Sequence, residues 1–100
     1  MSTQNNEIIT IRQDIQESIN TLTVDLEHEK EPVLYKSDLL DILRDLEKIF
    51  LFNEIDLDRL KKYSFATFRI VTDDDFQHTA LGKRFIDLCR MIEHFITKNA

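Results

Sequence analysis

Gly82 is the only glycine in the chain and Pro32 the only proline. A chain of this length with average usage would carry about 12 of the two together. Sandwiches and barrels need many turns, and turns consume both residues. The shortage therefore points away from all-β folds. It also excludes Gly-rich phosphate loops and the Gly-x-Ser-x-Gly nucleophile turn. What remains for 100 residues, 42% of them apolar and 32% charged, is one compact helical domain spanning 1–100.

The spacing of apolar residues fills in that outline. Ile8, Ile11, Ile15, Ile19, Leu22 and Leu26 step by three and four, which makes one stripe of a helix over about 5–28. Ile9 and Val24 fall off this stripe. Asn5 or Asn6 can cap it, with Glu7 favouring the positive end of the dipole. The charge cluster 27–31 and Pro32 then end it. Val33, Leu34 and Tyr35 are expected to fold back onto the core, because an exposed apolar triplet is unusual.

A second helix is expected over 37–52, with Ser37 as cap and Asp38 in the first turn. Its stripe is Leu39, Ile42, Leu43, Leu46, Ile49 and Phe50. Leu51 and Phe52 extend the apolar surface nearly all round, which predicts burial on several sides, with Asn53 as the stop. A third helix over 56–71 begins at Asp56, another cap, and runs through Leu57, Leu60, Ser64, Phe68 and Val71. Residues 65–72 are rich in β-branched and aromatic side chains and could also be a strand; helix is the reading adopted. The acidic triplet 73–75 is the next break. Leu81, Phe85, Leu88, Ile92 and Phe95 form the last stripe, over 79–97, with Gly82 in its first turn where another helix could approach. Four single-striped helices on short loops predict an all-α, antiparallel four-helix bundle.

The formal net charge is −6. The stretches 1–35, 36–64 and 65–100 carry −5, −1 and 0, so the acidity lies in the first third. That surface repels phosphate backbones, which disfavours direct nucleic-acid binding and favours a basic protein partner. Residues 1–7 are polar without a basic residue, no run approaches a membrane span, and Cys89 is the only cysteine. A cytoplasmic location with no membrane partner is the expectation.

Candidate chemistry fails one motif at a time. From Asp73, an EF-hand would need glycine where His78 stands and glutamate where Arg84 stands. No Glu-x-x-His pairs suit a di-iron bundle. Cys89 and His94 are five apart and point in different directions on a helix. Arg90 and His94 share a face, a spacing common on surfaces. No catalytic, metal or cofactor residue is expected.

Two features are left for binding. One is a set of acids near the first loop: Glu27, Glu29, Glu31, Asp38, Asp41 and Asp45, with Tyr35 as an aromatic anchor. The other is the aromatic group Phe50, Phe52, Tyr63, Phe65, Phe68 and Phe76: burial of all six in the core is the leading reading, and exposure of some beside the loops as anchors is the alternative. The expected function is non-enzymatic binding and inhibition or regulation of another protein. In size and charge only, the chain is similar to some bacterial immunity proteins and antitoxins. The alternatives are a self-associating helical adaptor, for which the Ile-rich first helix offers a seam to a second copy, and an acidic mimic of DNA.

Overall fold

The four stripes each form a helix, and the helices pack side by side. The computed structural model describes residues 3–73 and 75–99, with side chains accounted for from Glu7 onward. Helix α1 spans Thr3–Glu27, α2 Lys36–Phe50, α3 Leu57–Thr72 and α4 Ala80–Asn99, with a 3-10 turn at Asp75–His78. No strand occurs among the described residues, so 65–72 is helical. The neighbours in space are α1 with α2, α2 with α3, α3 with α4, and α4 with α1. This is a closed ring of four antiparallel helices, 47 Å long and 21 Å across.

The core follows the stripes closely. Ile15, Ile19, Leu22 and Leu26 of α1 are buried, with Ile8 and Ile11 packed at the rim. All six stripe residues of α2 and all five of α4 are buried. Phe50 meets Phe95 edge to face at 5.5 Å, and Phe76 packs obliquely on Phe85 at 5.9 Å. Each large side chain fully buried in this way stabilises the fold by about 1.5–3 kcal/mol.

The helix ends differ from expectation more than the helices do. Helix α1 runs from Thr3, so Asn5 and Asn6 lie within it and not at its cap. Helix α2 starts at Lys36, so Ser37 is inside the first turn; the cap position is Tyr35, in left-handed backbone at φ 64°. The reason is the turn Val33–Lys36, closed by the Lys36 amide on the Val33 carbonyl at 3.2 Å. Helix α2 stops at Phe50, before Asn53. Its end is capped from outside: Arg12 donates to the Phe50 and Phe52 carbonyls at 2.7 and 2.8 Å, and Gln16 to Phe50 at 3.3 Å. The chain leaves the core there, so Leu51 and Phe52 are exposed and not buried as expected. Leu34 and Tyr35 are likewise exposed; only Val33 of that triplet packs on the core.

The other two starts carry side-chain caps, expected at Asp56 and not anticipated at Thr79. Asp56 accepts from the Arg59 amide at 3.1 Å. Thr79 accepts from the Gly82 amide at 2.9 Å and donates to the Phe76 carbonyl at 2.7 Å. Gly82 is needed because a Cβ there would collide with that same Phe76 carbonyl. The close approach is therefore made by the 3-10 turn, not by another helix.

Candidate protein-binding surface

Antiparallel packing sets one end of the bundle apart. The loop from α1 to α2, the end of α3 and the start of α4 all meet there. Helix α1 ends in a tight turn, in which the His28 and Glu29 amides bond to Val24 and Leu26 at 3.1 and 3.3 Å. The Glu29 carboxylate accepts the Glu31 amide at 3.1 Å, and Lys36 Nζ reaches the Glu29 carbonyl at 3.4 Å. These bonds fix the loop with Glu27 and Glu31 exposed and Glu29 half-buried.

Asp38 lies in the first turn of α2, where a carboxylate favours the helix dipole. Asp41 follows one turn down, exposed and 3.7 Å from Arg44. Asp45 is one turn further and has a different job: it accepts the Tyr63 hydroxyl at 2.8 Å, tying α2 to α3. The structure thus gathers Glu27, Glu29, Glu31, Tyr35 and Asp38 at one pole. It sets Asp41 along the flank and commits Asp45 to an interhelix bond.

Tyr35 is the only non-glycine residue with positive φ among the described residues. The left-handed region costs an ordinary residue about 1–2 kcal/mol. No side-chain cap bond offsets it. Its side chain borders a shallow depression with Ala66, Arg69, Ile70 and Asp73, so the loop reaches the end of α3. A second cleft, about 550 Å³, lies between the loop (His28, Glu29, Lys30, Glu31) and the start of α4 (Leu81, Arg84).

Sequence reasoning missed three members of this pole. Leu34 is exposed beside Tyr35, and the carboxylates Asp73 and Asp75 arrive from the α3–α4 turn. The triplet 73–75 is visible in the sequence as a charge run; only antiparallel packing brings Asp73 beside Tyr35 of the first loop. Asp74 lies outside the described residues. Elsewhere the acidity of α1 is partly used up. Asp25 pairs with Arg84 at 2.6 Å and Glu7 with Lys98 at 3.4 Å, both across the α1–α4 seam.

Among the described residues, no three His, Cys, Asp or Glu side chains converge as a metal site would require. No described helix is long and apolar enough to cross a membrane. The Cys89 thiol is buried against α3 and donates to the Ser64 carbonyl at 3.5 Å. Burial pushes its pKa from 9.0 up to about 11, and the Glu93 charge adds to the shift. A thiol held protonated in this way is a poor nucleophile. Comparison with known protein families, with curated proteins and with solved structures finds no match.

Proposed function

We propose that this protein is a non-enzymatic binding module that docks its acidic pole on a basic surface of another protein and thereby inhibits or regulates it. The observation that carries this reading is the pairing of Leu34 and Tyr35, both exposed, with the exposed carboxylates Glu27, Glu31 and Asp38 on one hydrogen-bonded loop and helix start. Apolar anchors inside a charged rim are the usual anatomy of a binding hot spot. Strained backbone at Tyr35 fits the same reading, since strain persists where a side chain is held for a purpose. The carboxylates would steer a basic partner and raise its association rate more than its final affinity. A cytoplasmic setting suits a lone unpaired thiol.

The test takes the partner that co-purifies with the tagged chain. Association rates are measured from low to high salt, for the native chain and for a Glu27→Gln, Glu31→Gln, Asp38→Asn variant. The native rate should fall steeply with salt, and the variant should start low and respond little. A native rate indifferent to ionic strength would rule this reading out. Separately, Tyr35→Ala should speed dissociation with little change in the association rate.

A further inference from the structure

Helix α3 is packed in an unexpected orientation. Its buried positions are Leu60, Ser64, Thr67 and Val71. Ser64 and Thr67 are 5% and 1% exposed, while Phe65 and Phe68 are 64% and 46% exposed. A helix turned only to maximise burial would put its phenylalanines inward and its hydroxyls outward. Phe65 and Phe68 instead wall a cleft of about 470 Å³ between α3 and α4, with Cys89 and Ile96 at its floor and Lys61 and Glu93 at its edges.

The charge of α3 is as distinctive as its packing. Arg59, Lys61, Lys62 and Arg69 against Asp58 give this helix +3 in a chain of −6. All four cations are exposed, and among the described residues none is in an ion pair with a carboxylate. Arg69 lies over the Phe65 ring at 5.8 Å and Arg59 over Tyr63 at 5.8 Å. By helical spacing Lys61, Lys62 and Arg69 flank Phe65 on its outward side.

We infer that the α3–α4 cleft is a second docking site, which takes an amphipathic helix with acidic flanks from a partner protein. The apolar side chains of that helix, at three- and four-residue spacing, fill the space between Phe65 and Phe68 over Cys89 and Ile96. Its carboxylates meet Lys61 at the cleft edge and, beyond the cleft on the outward side of Phe65, Lys62 and Arg69, none of them paired with a carboxylate among the described residues, and stay clear of Glu93 on the opposite edge. A symmetric dimer through this face would set one basic helix against another, so the charge favours an acidic partner over a second copy. The overall charge of −6 likewise disfavours a nucleic-acid strand on these aromatics.

Two synthetic amphipathic helical peptides with the same leucine stripe, one flanked by glutamates and one by lysines, test this by fluorescence anisotropy. The glutamate peptide should bind, and the lysine peptide should bind about tenfold more weakly or worse. A Phe65→Ala, Phe68→Ala variant should weaken the glutamate peptide about tenfold or more, with an unchanged helical circular dichroism signal. A Lys61→Glu, Arg69→Glu variant should weaken it too. The inference is overturned by failure of the glutamate peptide to bind or by equal binding of the lysine peptide. Unchanged affinity in the phenylalanine variant also overturns it, as does tighter binding of oligothymidylate than of the glutamate peptide. Sedimentation of the chain alone supplies the last outcome: a dimer that the phenylalanine variant dissociates would make a second copy the occupant and overturn the inference.

Discussion

Helices α2 and α3 are neighbours of nearly equal length, yet they use their large apolar residues in opposite ways. Helix α2 buries every member of its stripe, Leu39 to Phe50. Helix α3 buries one leucine, one valine and two hydroxyl residues, and leaves two phenylalanines in solvent. Small side chains at Ser64 and Thr67 let α3 come close to α4, close enough for the Cys89 thiol to reach the Ser64 carbonyl. The Thr67 hydroxyl is satisfied by the Tyr63 carbonyl of its own helix at 2.7 Å. One helix is thus built mainly for the core, and the other keeps apolar surface available.

The widest separation between the two helices should appear in stability. Leu43→Ala on α2 removes a fully buried side chain and should cost about 2–5 kcal/mol in urea unfolding. Phe65→Ala on α3 should change stability by no more than about 0.5 kcal/mol. A large loss at Phe65 would mean that it belongs to the core after all, and the contrast would collapse.

The close α3–α4 approach can be read through pH. Cys89 has its folded pKa raised above its ordinary value, so the folded state prefers the protonated thiol. Its contribution to stability is complete below pH 9 and is lost as pH rises towards about 11. The loss should total roughly 2–3 kcal/mol, obtained as the difference between the native chain and Cys89→Ala across that range. Alkylation by iodoacetamide at pH 8 should be slow until the chain is unfolded. Rapid alkylation of the folded chain would show the thiol to be open to solvent and the seam looser than described.

Two smaller effects calibrate the contrast. Gly82→Ala should destabilise by about 1–3 kcal/mol, because the new methyl group meets a backbone carbonyl that cannot easily move. Asp25→Asn should cost only about 0.2–1 kcal/mol, since both it and Arg84 are substantially exposed, and added salt should shrink the difference. If Phe65→Ala falls within the Asp25→Asn range, α3 behaves as a surface helix in its aromatic residues.

Most of the fold was legible from periodicity. The stripes of α1, α2 and α4 needed only three- and four-residue spacing, because those helices bury one continuous apolar face. Helix α3 misled at Phe68, which belonged to the same numerical series as Leu57, Leu60, Ser64 and Val71. Thr67 takes the inward place, since its hydroxyl bonds within the helix and its size suits the gap. The ends were hardest. The sequence-local cap at Asp56 was readable; the end of α2 was not, because its carbonyls are capped by Arg12 and Gln16 from another helix. The acids near the first loop were readable as a charge run, but the bond that commits Asp45 to Tyr63 spans two helices.

The sequence by itself determined four helices, their order and the inward faces of α1, α2 and α4, since one glycine and one proline leave little room for turns and the stripes dictate what is buried. Tertiary packing decided which charges stay free. It paired Asp25 with Arg84 and Glu7 with Lys98, brought Asp73 to the first loop, and, among the described residues, left the cations of α3 without carboxylates beside two exposed phenylalanines. Charge and exposure depend on neighbours that lie distant in the chain, and only the closed ring of helices specifies which residues those are.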